Sequence, residues 1–382
     1  MRKLIKAVGV FMLCCCLIVT SAGTIFAEGI IAEIPILQYE QYIEELLNLY
    51  SNSKIVYTIS DSKQLGSLTI AEGYTFYELS PFGYAIVANS NQTLMEVCYD
   101  DCDLPFLTGN DNSLYYYIGP SSFALKEQGS YIDVETNIRL SQHDINYITT
   151  VETEIVSFAT PSQNNNWNSR AAINNRIIQN VEFDYFSNLS SLGNNVYGTC
   201  TVVAIAMLLG YYDVFVNDDC VDDYYMNASS TPEGTTDEFH QLLCDYVYGE
   251  NALGGIQIYD AAPAINDYLS DQGISVAFVS PRRHNVATTR TSVINLIDQG
   301  KPVVASMHSS SGATMTHSVV VYGYIYTVND GTEPVLPFAT TTAIPENAMY
   351  RVHKGYIGSS SHYNQLYSSS WFEVYGYIDD TP

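Results

Sequence analysis

Cys200 follows a Gly-Thr pair and opens a nearly all-apolar stretch, Thr201 to Val214, of the kind that forms a buried helix. A cysteine in that place lies among the free N–H groups and positive partial charge of a helix N-terminus, which favour a thiolate. The same N–H groups suit the oxyanion of a tetrahedral intermediate, and Gly198 lets a carbonyl approach the backbone closely. A small buried core cysteine would read the same way locally, because free cysteine is among the most buried residue types. A base brought close in space separates the two readings. His317, 117 residues downstream, heads the apolar run Ser318-Val319-Val320-Val321-Tyr322, which reads as a strand. Held there, its imidazole could take the thiol proton and return it to a leaving group. His308, His353 and His362 are rivals, none flanked by so clear a strand. These histidines contain no short-spaced pair of the metal-ligand kind, so neither a metal nor a cofactor is expected.

The elements that must position this pair divide the chain. Gln38 to Tyr50 carries apolar residues at helical spacing. From Lys54 to about Ile148 the pattern changes to short alternating runs punctuated by Gly, Asn, Asp and Ser, as strands and turns require. Ser157 to Arg170 is rich in Asn and Ser and reads as a linker. Beyond it, helices are expected at Thr201–Val214, Thr235–Tyr248, Asp260–Gln272 and Thr291–Gly300, the last closed by Gly300. Strands are expected at Lys301–Met307, Ser318–Thr327 and Trp371–Ile378. Helices followed by strands give an α+β unit rather than a doubly wound sheet. At 382 residues the chain has room for more than one core. The resulting expectation is a leader at 1–27, a smaller α+β unit at 28–156, a linker at 157–170 and a second unit at 171–382.

The leader sets the compartment. Arg2, Lys3 and Lys6 precede an apolar run from Ala7 to Val19 and a small-residue stretch ending at Ala27, the layout of a cleavable secretory signal. The run is short for a bilayer span, so no stable membrane insertion is expected after cleavage. With the leader go three of the 15 Lys+Arg and none of the 41 Asp+Glu, so the net charge moves from −26 to −29. So acidic a surface argues against nucleic acid or anionic membrane as a partner and suits an extracellular protein. Five cysteines remain: Cys98, Cys102, Cys200, Cys220 and Cys244. Proximity in sequence would allow Cys98/Cys102 and Cys220/Cys244 to pair, leaving Cys200 as the odd thiol.

Residues 198–213 (GTCTVVAIAMLLGYYD) followed by 316–324 (THSVVVYGY) resemble the papain-like cysteine peptidases, in particular the streptopain-like and bacteriocin-processing-like bacterial branches. Lys301-Pro302-Val303-Val304 is similar to the strand before the histidine in those families. The resemblance spans about residues 180–378. It implies a papain-like catalytic domain, a buried helix opened by Cys200 and packed on an antiparallel sheet, with His317 as general base and acid. It also implies a protein or peptide substrate. The Phe82–Asn89 segment is similar to the pro-region of streptopain-like precursors, which implies an inhibitory pro-domain at 28–156 acting within the chain. Where papain-like enzymes carry a Gln six residues before the cysteine as oxyanion donor, this chain has Asn194, with Asn195 beside it. Thr201 stands where the bacteriocin-processing branch usually has Gly. The strand with the third catalytic residue aligns on Tyr350–Tyr356 and puts His353 where Asn or Asp is common; Asp330 and Asn329 are alternative orienting groups. Other acyl transfers on the same scaffold, and a catalytically inactive binding or adhesion module, are the competing functions.

Overall fold

Alternating runs become strands and apolar-faced runs become helices in the computed structural model, which describes residues 36–51, 54–90, 92–101, 104, 113–134, 137–158, 172–177, 185–189, 198–230, 232–249, 255–282, 286–306, 317–328, 348–355 and 365–380. The expected leader lies outside these residues, as does most of the expected linker. Helix α1 (Ile36–Ser51) buries Ile43, Leu46, Leu47 and Tyr50, the i, i+3, i+4, i+7 face of its sequence. Among the described residues no helix is long and apolar enough to cross a membrane.

Four strands then form an antiparallel meander: β1 (Thr58–Leu65), β2 (Tyr74–Ser80), β3 (Tyr84–Ala88) and β4 (Thr93–Cys98). A separate sheet holds β5 (Tyr115–Gly119), β6 (Ser122–Glu127) and β7 (Ser130–Asp133). Helix α2 (Gln142–Phe158) follows and reaches past residue 157, where the linker was expected to begin. Its start is a reciprocal cap: the Ser141 N–H donates to the Asp144 carboxylate at 2.7 Å and the Asp144 N–H to the Ser141 hydroxyl at 3.2 Å. Strand β8 (Ala172–Ile177) and the short α3 (Tyr185–Asn188) lead toward the cysteine.

Helix α4 (Cys200–Phe215) is the axis of the second part, buried without a break from Cys200 to Tyr212 as its apolar sequence demands. The β-ribbon β9 (Met226–Asn227) and β10 (Gly234–Thr235) precedes helices α5 (Asp237–Tyr248) and α6 (Ile258–Asp271), which pack beside α4. The remainder is β11 (Ala277–Val279), α7 (Val286–Asp298), β12 (Val303–Ser306), β13 (Ser318–Val328), β14 (Met349–His353), β15 (Gln365–Ser368) and β16 (Val374–Asp379). Helix α4 lies on β12 and β13. Each element foreseen after residue 200 is present, with ends moved by a few residues.

Among the described residues eleven strands share one sheet in the order β1-β2-β3-β4-β15-β14-β13-β12-β16-β11, with β8 alongside β13. All of its pairings are antiparallel, so the chain is α+β with a large antiparallel sheet. Strands on both sides of residues 157–170 belong to that sheet, joined where β4 pairs β15 in the register Gln365↔Cys98, Leu366↔Val97 and Tyr367↔Glu96. The joint is also polar. Glu96 on β4 is wholly buried, and its carboxylate accepts from the hydroxyls of Tyr84, Tyr117 (3.1 Å) and Ser121 (2.9 Å), the Ser121 N–H (2.8 Å) and Gln365 Nε2 (2.8 Å). A buried carboxylate survives only when so fully hydrogen-bonded. Burial still holds its pKa above the ordinary carboxylate value, against those hydrogen bonds and the Lys354 ammonium, which pull it down.

The expected Cys220/Cys244 disulfide is absent. Both are buried free thiols. Cys220 lies beyond α4, whereas Cys244 packs against His240 one helical turn earlier on α5, Sγ to Nε2 3.4 Å. The Cys98 thiol donates to the Asp100 carbonyl at 3.6 Å, and Cys102 is outside the described residues.

Candidate active site

Gly198 adopts φ +81°, the left-handed region open to glycine, and turns the chain into Thr199 and the first residue of α4. Thr199 caps the helix only through its backbone: its carbonyl accepts from the Val203 N–H at 3.0 Å, and its side chain makes no cap hydrogen bond. The first N–H groups are thereby left for the sulfur, and those of Cys200 and Thr201 both stabilise its charged form. A third donor comes from the sheet, where the Ser318 N–H reaches Cys200 Sγ at 3.4 Å. That contact brings the head of β13, with His317 directly before it, to the opening of α4. The backbone next to one of the two residues singled out by type and spacing therefore reaches the other, across 117 residues of sequence.

A carbonyl orients the histidine. The imidazole of His317 hydrogen-bonds the backbone of Lys354, an interaction that favours the charged ring, so a ring N–H donates to the main-chain oxygen. Lys354 is followed by Gly355, whose φ of +72° ends β14 in a turn. A Cβ at Gly355 would stand 2.7 Å from Val203 Cγ1. His353, one residue earlier, has both ring nitrogens engaged elsewhere. Nε2 lies 2.9 Å from the Leu189 carbonyl, which can only accept, so Nε2 carries the proton; Nδ1 accepts from the Gly355 N–H at 3.1 Å. The hydrogen-bond partner of the His317 ring is thus the backbone of Lys354, while the two ring nitrogens of His353, expected from the alignment as the orienter, meet Leu189 and Gly355. Asn194, Asn195, Asn329, Asp330, His308 and His362 are outside the described residues.

Electrostatically the pair rests neutral, contrary to the thiolate expected at a helix N-terminus. Burial pushes the Cys200 thiol above its ordinary pKa, and the three N–H donors with the Ser318 hydroxyl offset this only in part. Burial, with the Lys354 ammonium nearby, drives the His317 imidazole down to about 3. His353 falls to about 4 for the same first reason. Proton transfer from thiol to imidazole is unfavourable in this closed, water-poor surrounding. Chemically the arrangement is a thiol, an oriented imidazole and a set of N–H donors, with the sulfur held back from ionisation.

Three residues at the site were not foreseen in these roles: Thr201, Ser318 and Lys354. Thr201 and Ser318 stand next to the two residues that were, so adjacency was the available signal. Lys354 contributes a carbonyl, which no side-chain pattern announces.

Residues 178–336 match the model of the Peptidase_C39 like family. No curated protein matches the chain in sequence. Among solved structures, a mutant fragment of prointerpain A from Prevotella intermedia is similar at 12% identity and TM-score 0.37, covering 83% of this chain and 98% of that one.

Proposed function

We propose that this chain is the secreted precursor of a cysteine peptidase that cleaves peptide bonds through a Cys200 thioester, a reading supported by the match of residues 178–336 to the Peptidase_C39 like family. The observation that carries the reading is the junction of α4 and β13, where the Ser318 N–H meets Cys200 Sγ and His317 is the residue directly before Ser318. In the reaction the thiol proton passes to His317 and the sulfur attacks the substrate carbonyl. The N–H groups at the start of α4 receive the oxyanion, and Asn194 or Asn195 is the proposed side-chain donor. His317 then protonates the leaving amine, and water, deprotonated by the same imidazole, hydrolyses the thioester. The Lys354 carbonyl holds the ring in one tautomer throughout and favours its charged form.

Residues 28–156 are proposed as the pro-domain. The support is the state of the two groups: a thiol and an imidazole that burial keeps neutral are a nucleophile and a base withheld, as a precursor requires. Opening the site to water would remove the desolvation that suppresses both groups, raising the imidazole and lowering the thiol. The leader at 1–27 and the acidic surface support export.

The test is self-cleavage of the purified full chain. Wild type should shorten within residues 157–170 and then cleave added peptides, while Cys200→Ala stays intact and His317→Ala loses turnover by several orders of magnitude. Shortening in all three would assign the cut to another protease. A stable, inert wild type would instead favour the binding-module reading.

A further inference from the structure

Thr201 is the residue that departs from the glycine usual after the cysteine, and its hydroxyl is bonded twice. It donates to the Ile256 carbonyl at 2.8 Å and lies 2.8 Å from the Ser318 hydroxyl. A threonine has one hydroxyl proton, and a carbonyl can only accept. That proton belongs to the bond with Ile256, so in the second contact Ser318 is the donor and Thr201 the acceptor. Both residues are 2% exposed, and the contact between their hydroxyls is buried. The N–H of the same Ser318 reaches the sulfur of Cys200 at 3.4 Å, so its hydroxyl is carried on a residue already in contact with that sulfur.

We propose that Ser318 is a hydroxyl donor to the Cys200 thiolate and that Thr201 is the positioning residue that holds this hydroxyl ready, the two forming a switchable hydrogen bond across the α4–β13 junction. In the resting thiol the Ser318 proton points to Thr201 Oγ1. When the Cys200 proton leaves for His317, negative charge develops on the sulfur, and the Ser318 O–H turns to it. Thr201 keeps its proton on Ile256, and Ser318 keeps its own; the only proton transferred is the one passing from sulfur to imidazole. A hydrogen bond to a charged acceptor is roughly twice as strong as a neutral one, which gives the rotation its direction. The inference rests on Cys200 being the nucleophile, but its test does not depend on peptide turnover.

The experiment is a pH titration of thiolate ultraviolet absorbance on the full chain, each variant read as its difference from the same chain with Cys200→Ala. Ser318→Ala leaves the backbone N–H in place and removes only the hydroxyl. It should raise the titration midpoint by about one unit or more, equivalent to at least a tenfold smaller thiolate fraction at a given pH below the midpoint. Thr201→Val should shift it the same way by less, and Thr201→Ser, which keeps the bridging hydroxyl, should restore the wild-type midpoint. A thermal melt of each variant accompanies the titration. An unchanged midpoint in Ser318→Ala overturns the proposal. So does equal loss in Thr201→Val and Thr201→Ser, which would mark a packing role, and so does a wild type in which Cys200 does not titrate before unfolding. A shifted midpoint in a chain that cleaves no peptide would leave the hydroxyl pair standing and remove the peptidase reading.

Discussion

At the residue scale, the imidazole is governed by its neighbour in two opposed ways. The Lys354 carbonyl favours the charged ring while the Lys354 ammonium opposes it, and desolvation outweighs both. Removing the ammonium while keeping the backbone isolates the second effect. Lys354→Met should therefore raise the pH at which His317 takes up its proton, read by NMR of the imidazole or as an upward displacement of the acid limb of the activity profile. An unchanged or lowered value would mean that the ammonium does not hold the ring down. The places of Cys200 at the opening of α4 and of His317 directly before β13 were legible in the sequence because each signal is local: a thiol opening an apolar run, and a histidine heading another. The orienting group was not. A histidine aligned where a side-chain acceptor was sought, whereas the acceptor is a carbonyl made available by the conformation of the next residue but one from His353.

At the element scale, Gly355 couples the end of β14 to α4. Gly355→Ala would force a Cβ to within 2.7 Å of Val203 and strain a φ of +72°. A cost of about 1–3 kcal/mol is expected from the backbone alone. Because the same turn presents the Lys354 carbonyl, turnover should fall by more than the loss of folded protein explains; denaturant melts alongside kcat measure the two separately. Long apolar or periodic elements were readable, α4 most plainly, since burial on all sides needs no partner to be inferred. Helix α2 was not recognised because its β-branched run Ile148-Thr149-Thr150-Val151 imitates a strand, although Ser141 and Asp144 carry a capping signature. Strands β8 and β15 are short, six and four residues, and are fixed by partners far away in sequence. No local pattern could have announced them.

At the scale of the whole molecule, the part before residue 157 and the part after 170 are bound through the β4–β15 ladder and the Glu96 network. The buried carboxylate gives this joint a pH dependence of defined sign. A folded-state pKa above the unfolded value contributes stability that is complete below about 4.5 and is lost as pH rises through the raised value. Stability of wild type relative to Glu96→Gln should accordingly fall as pH climbs from there, in melts run in parallel on the two chains; a relative gain with pH would contradict the assignment.

The ladder carries one more consequence. Proteolysis between residues 157 and 170 would sever the backbone without dissolving the sheet, so the two fragments should stay together through gel filtration until something unzips them. Once β4 departs, β15 becomes an open border whose Gln365, Leu366 and Tyr367 carry no charge to repel a newcomer. Exposed borders of that kind recruit any extended chain that can hydrogen-bond along them, including a second molecule of the same protein. Loss of the first part would thus turn β15 into a docking rail.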